Sequence, residues 1–126
     1  MEIDDAILEK TEEQVAVFSA LADPTRLRLL KFLLHQRDPD ALCVNALAAF
    51  LGVTQSAVSQ HLRVLKAISL VKGERRGYHI HYFVNRQVLQ RCQELLSAAL
   101  STGEPIKEKS CQNYCPDRWG QNVSPV

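Results

Sequence analysis

Ser56, Ser59, Gln60 and Arg63 stand at i, i+3, i+4 and i+7, the spacing that puts four side chains on one helical face. All four are hydrogen-bonding residues of the types that reach base edges or phosphate oxygens of DNA. The opposite face carries Val58, Leu62 and Leu65 and faces inward. The second chemically capable set is sulfur: Cys43, Cys92, Cys111 and Cys115. Thiolates are nucleophiles and ligands for soft ions. Cys43 falls at the start of a predicted helix, where the helix dipole favours thiolate. Cys111 and Cys115 are spaced C-x3-C, and Cys92 lies on an apolar stripe, where it reads as a core residue.

The elements that position these groups follow from periodicity. Val44, Leu47, Ala48 and Leu51 form one apolar helical stripe; Gly52 breaks it, and Thr54 is the expected N-cap of a second helix beginning at Gln55. Two short helices joined by a glycine-containing turn make a helix-turn-helix, whose second helix can enter the major groove. Upstream, Leu8, Val15, Phe18 and Ala22 trace a helix over residues 5–21, and Asp23-Pro24 starts another with Leu27, Leu30, Leu33 and Leu34 inward. A connecting loop is expected over residues 36–40. Downstream, Tyr78, Ile80, Tyr82 and Val84 alternate with His79, His81 and Phe83, the period of a strand. Gly73 and Gly77 bracket Glu74-Arg75-Arg76, which predicts a hairpin with a basic tip. A last helix over residues 86–100 turns Val88, Leu89, Cys92, Leu95, Leu96 and Ala99 to one side. Gly, Pro, Asn and Ser dominate from Ser101 onward and predict a flexible tail.

The chain has 126 residues, 46% hydrophobic and 23% charged, a soluble globular composition with room for one core. Its net charge of +1 hides an asymmetry. Residues 1–20 hold six acids against one lysine, while residues 54–86 hold Arg63, Lys66, Lys72, Arg75, Arg76 and Arg86 against Glu74 alone. A basic segment on and after the recognition helix fits a phosphate-facing surface. A basic hairpin in that place is a wing, set to reach the adjacent backbone or minor groove. No apolar run approaches a membrane span and the acidic N-terminus is unlike a signal peptide, so a cytoplasmic location with free thiols and no membrane partner is expected.

Two long motifs make the chain resemble the ArsR/SmtB family of winged-helix repressors. They are Ala20-Leu21-Ala22-Asp23-Pro24-Thr25-Arg26-Leu27-Arg28-Leu29-Leu30 and Ser56-Ala57-Val58-Ser59-Gln60-His61-Leu62-Arg63-Val64-Leu65, followed by the Arg-Arg-Gly wing leading into Tyr82. The resemblance, over residues 15–100, implies a mainly α (α+β) winged helix-turn-helix fold with a two-stranded wing. It also implies a homodimer through the N- and C-terminal helices, bound to palindromic double-stranded operator DNA and released by an inducer. Apolar stripes on the terminal helices, wider than one small core requires, agree with a dimer. The expected DNA-binding set is Gln55, Ser56, Ser59, Gln60, His61, Arg63, Arg75 and Arg76. Residues 1–102 form the expected DNA-binding and dimerisation domain, and residues 103–126 the tail.

In the family's arsenic, cadmium and lead sensors the segment at the start of the helix-turn-helix looks like Glu-Leu-Cys-Val-Cys-Asp-Leu. Here it reads Ala41-Leu42-Cys43-Val44-Asn45-Ala46-Leu47, with asparagine in place of the second cysteine. Trivalent arsenic wants three thiolates, and Cys111 and Cys115 can supply the missing two to Cys43. The expected inducer is trivalent arsenic or a soft metal ion. Two other readings of the tail pair stand beside this one: incidental cysteines, or a redox switch closing a disulfide. His79 and His81, at i, i+2 on one strand face, have a spacing that can hold Zn²⁺, with no third ligand obvious nearby. The family's zinc site on the last helix has no counterpart, since residues 85–100 contain no His or Asp. An enzyme is not expected: the chain has no glycine-rich phosphate loop, no C-x2-C and no recognisable nucleophile–base pair.

Overall fold

The computed structural model describes residues 3–37, 42–103 and 111–115. Contacts divide the chain into two units, Lys10–Leu100 and a second made of residues 1–9 with 101–126. The first unit contains α2 (Thr11–Leu21), α3 (Pro24–His35), β1 (Leu42–Cys43), α4 (Val44–Leu51), α5 (Gln55–Ala67), β2 (Val71–Arg76), β3 (His79–Val84) and α6 (Arg86–Leu100). The second contains α1 (Ile3–Leu8) and α7 (Cys111–Tyr114). No helix among the described residues is long and apolar enough to cross a membrane.

The core of the first unit is a continuous apolar cluster: Leu29, Leu30 and Leu33 of α3, Leu47 of α4, Val58, Leu62 and Leu65 of α5, Tyr82 and Val84 of β3, and Leu95 of α6. Burying each such side chain contributes roughly 1.5–3 kcal/mol, which no single polar contact here matches. Helices α2 and α6 pack together, and Arg91 reaches across to Glu13 at 3.0 Å. That pair is exposed and adds at most ~1 kcal/mol.

The Ala-Asp-Pro-Thr-Arg segment closes two helices at once. The Asp23 carboxylate accepts the Arg26 backbone N–H at 2.9 Å and caps α3, while Pro24 sits where no N–H is required. Arg26 Nη1 donates back to the Ser19 and Ala20 carbonyls at 3.2 and 3.0 Å. Helix α2 has no basic residue in its own last turn, so this guanidinium supplies the positive charge its C-terminus favours.

The structure corrects the expected elements in several places. The single helix expected over residues 5–21 is two, α1 and α2, because Lys10 adopts a left-handed backbone at φ 67°. Glu12 and Glu13 fall in the first turn of α2, where acids complement the dipole. The inward face of α2 is Val17 and Ala20, whereas Val15 and Phe18 are 54% and 41% exposed. In α3, Leu29 is buried and Leu27 is not. Helix α3 faces the core with the stripe through Leu29 and Leu33, one of two that its leucines offer.

The wing is a hairpin, but the sheet has three strands in the order β1-β3-β2, because Leu42 and Cys43 pair antiparallel with Tyr82 and His81. The turn is Gly77-Tyr78 rather than Glu74-Arg75-Arg76: Arg75 and Arg76 pair with Ile80 and His79 inside the ladder. Gly77 has φ +67°, the conformation a two-residue hairpin loop with glycine at its first position requires. Gly73 is held small from outside. A Cβ there would lie 2.8 Å from Ile80 Cγ2 and 3.2 Å from the Tyr82 ring. Of the expected loop over residues 36–40, Gln36 and Arg37 are described and 38–40 lie outside the described residues. So does most of the tail, apart from residues 101–103 and 111–115.

Candidate nucleic-acid interface and thiol groups

Helix α5 begins as its sequence predicts. Thr54 Oγ1 accepts the Ala57 N–H at 3.1 Å, and Gly52, at φ 67°, ends α4 in the left-handed conformation that turns the chain. Val58, Leu62 and Leu65 are buried, so Gln55, Ser56, Ser59, Gln60 and Arg63 are exposed as one polar face. His61 departs from that set. It is half-buried and turned toward Asp23, with Nε2 3.8 Å from Oδ1. His61 therefore ties α5 to the N-terminus of α3 and stands off the solvent face.

The basic wing is arranged unequally. Arg75 is exposed, with Nη1 3.5 Å from the Gly77 carbonyl. Arg76 is half-buried: its guanidinium stacks 4.8 Å above the Phe83 ring and lies 3.8 Å from Glu74. Lys72 is exposed on β2, and Lys66 is exposed on α5 with Nζ 5.8 Å from the Tyr82 ring. Both lysines were legible in the charge pattern, and Lys66 stands three residues after Arg63 on the same helical face.

Asp23, beside this interface, has its carboxyl held below the ordinary range, first by the Arg26 N–H and further by His61. Sequence alone did not reveal a second anchor, Gln36. Its Nε2 donates to the Tyr82 carbonyl at 2.7 Å and its Oε1 accepts the Leu42 N–H at 2.9 Å. One side chain thereby joins the end of α3 to β1 and to the middle strand of the sheet.

The thiols fall into three environments. Cys92 is buried on α6, and burial pushes its thiol up, as a core residue should behave. Cys43 is half-buried at the N-cap of α4, where its side chain makes no capping hydrogen bond. Cys111 and Cys115 are exposed on and just after α7, and the hydrogen bond between the two thiols raises Cys111. Asn45, at the position of the family's second cysteine, is exposed on α4. His79 stands opposite Arg76 and His81 opposite Cys43. Among the described residues no group of three or more His, Cys, Asp or Glu side chains is placed to hold a metal ion.

Residues 21–74 match a helix-turn-helix domain family. A transcriptional repressor SmtB homolog of Synechocystis sp. is 45% identical over 75 residues, which are 60% of this chain and 54% of that protein. The chain thus spans about half the length of that relative. The HTH-type transcriptional regulator CmtR of Mycobacterium bovis is 40% identical over 106 residues, covering 80% of this chain and 86% of CmtR. Among solved structures, that of a possible transcriptional regulator for arsenical resistance superposes with a TM-score of 0.60 at 32% identity. The superposition covers 68% of this chain and 85% of the other.

Proposed function

Because the chain belongs to the ArsR/SmtB family of winged helix-turn-helix transcriptional regulators, which are not enzymes, we propose that it is a repressor released from DNA by a thiophilic inducer. In this reading a homodimer grips a palindromic operator. Gln55, Ser56, Ser59, Gln60 and Arg63 face the major groove, and Arg75 reaches the flanking backbone. Arg76 acts mainly by holding the wing, and His61 by holding α5. A two-fold axis would set the two recognition helices about 34–36 Å apart, one DNA turn.

The observation that carries the DNA half is the polar face of α5, exposed along its length opposite a fully buried apolar face. Support for the dimer comes from α2 and α6. These helices pack on each other yet leave Val15, Phe18 and Leu100 exposed, more apolar surface than a lone monomer gains from showing.

The inducer half rests on Cys43, Cys111 and Cys115. Cys111 and Cys115 are exposed thiols four residues apart on and just after α7, and Cys43 is a free thiol at the head of the helix-turn-helix. Three thiolates suit trivalent arsenic or a soft metal ion. The likeness to a possible regulator for arsenical resistance points the same way. Ligation releases DNA only if the ion favours the non-binding conformation. The test is operator selection from random duplexes with the full chain, followed by DNA release titrated with arsenite, Cd²⁺, Zn²⁺ and peroxide in parallel. Release by arsenite or Cd²⁺ at substoichiometric peroxide response supports the reading; release by peroxide alone replaces it with a redox switch.

A further inference from the structure

Arg28, Lys31, Phe32 and His35 stand at i, i+3, i+4 and i+7 on α3, all exposed and turned away from the buried Leu29 and Leu33. Among the described residues these four line a cavity of about 430 Å³ whose walls are almost wholly apolar. Three of the four carry polar heads. Such walls therefore require that the Arg28 and Lys31 stems turn inward and that the charges stay at the rim. Phe32 supplies a flat surface: it is 39% exposed and stacks on Phe50 of α4, itself 59% exposed, with ring centroids 5.9 Å apart and planes 24° apart. His35 is pinned, because its Nδ1 donates to the Lys31 carbonyl at 2.8 Å and leaves Nε2 for another partner.

We propose that this cavity binds a small aromatic carboxylate, its ring against Phe32 and its charge met by Arg28 and Lys31. Charge selects an anion. Among the described residues no acid lines the cavity, and neither Arg28 nor Lys31 has an ion-pair partner. The aromatic pair selects a flat apolar body, since a further ring extends the stack at the usual centroid separation of about 4.5–7 Å. Size selects a small molecule over a protein. Ligand cavities span roughly 300–1,000 Å³, whereas a stable protein interface takes about 800 Å² from each partner.

The cavity shares no residue with the polar face of α5 and none with the four cysteines, so the proposal stands whether or not thiols release DNA. Phe50 lies two residues before Gly52, the residue that turns α4 toward α5. An occupant resting on Phe32 is thus one ring away from the helix-turn-helix.

The test is titration of the full-length protein, free of DNA, with three probes followed by nuclear magnetic resonance. 2-Naphthoate carries rings and charge, 2-naphthylmethanol the rings alone, and acetate the charge alone. 2-Naphthoate should shift the backbone amides of residues 28–35 and 50 in a saturable way and give nuclear Overhauser contacts to the Phe32 ring. 2-Naphthylmethanol should bind at least about tenfold more weakly, the factor a hydrogen bond to a charged group carries, and acetate should not saturate. Arg28→Gln/Lys31→Gln alters only exposed side chains and should reduce 2-naphthoate to the affinity of the alcohol. Equal binding of acid and alcohol, unchanged affinity in the double variant, or the absence of saturable binding overturns the proposal. So do contacts that centre on Val15, Phe18 and Leu100 instead of Phe32.

Discussion

The Gln36 carboxamide donates to the Tyr82 carbonyl at 2.7 Å, 46 residues along the chain. The same side chain accepts from Leu42, so the two-residue strand β1 is held by Gln36 as well as by its own pairing. Gln36→Ala should destabilise the fold by roughly 1–3 kcal/mol, because two half-buried backbone groups lose a partner. Gln36→Glu should recover only part, since a carboxylate can accept from Leu42 but cannot donate to Tyr82. Urea denaturation reports the energies, and amide exchange at Leu42 reports the site. A wild-type midpoint for both variants would show the bridge to be idle.

Asp23 yields a pH-dependent expectation with a definite sign. Its carboxyl is held below the ordinary 3.8, chiefly by the Arg26 N–H. A lowered folded value means that the ionised cap favours the native state above the unfolded value, and that this contribution is lost as pH falls through the folded value. The melting temperature of Asp23→Ala should therefore trail the wild type most near neutrality, and the gap should narrow on acidification below about pH 4. A gap that is constant with pH would locate the effect in something other than the charge.

On α5, Gln60→Ala and Arg63→Ala should each weaken operator binding by roughly 1–3 kcal/mol where the residue reads a base, without changing thermal stability. His61→Ala should do the reverse, lowering stability through its lost contact with Asp23. Gel-shift titration beside thermal melting separates the two classes. Equal affinity of Gln60→Ala and Arg63→Ala to wild type would remove α5 from the groove.

The wing arginines should also differ. Arg75→Ala should lower the log–log salt slope of binding by about one unit, as one lost phosphate contact does. Arg76→Ala should change the slope less and cost stability instead, because its guanidinium is committed to Phe83 and Glu74. Equal slopes for wild type and Arg75→Ala would mean that the wing does not touch phosphate.

Cys43→Ser, and separately Cys111→Ser/Cys115→Ser, should bind operator normally yet fail to release it with arsenite. Release retained in Cys43→Ser would leave the tail dithiol as the whole sensor. Release retained in the double variant would exclude the tail from sensing.

Local chemistry in the chain was enough to determine α5 and its cap, the glycine turn before it and the start of α3 at Asp23-Pro24. Each of these depends on side chains within a few residues of the backbone they satisfy. The same holds for the polar row from Ser56 to Arg63, where apolar and polar positions alternate with one unambiguous helical period. Only the tertiary structure decided which apolar stripe of α2 goes inward. Val15, Val17, Phe18 and Ala20 offer two faces, and the choice belongs to α6, a helix some seventy residues away. It decided also that Leu42 and Cys43 form a strand, which two residues cannot announce and only pairing with Tyr82 and His81 creates. The pairing sets Cys43 beside a histidine nearly forty residues distant: periodicity tells a residue which way to face, while register, set by contacts distant in sequence, decides what it faces.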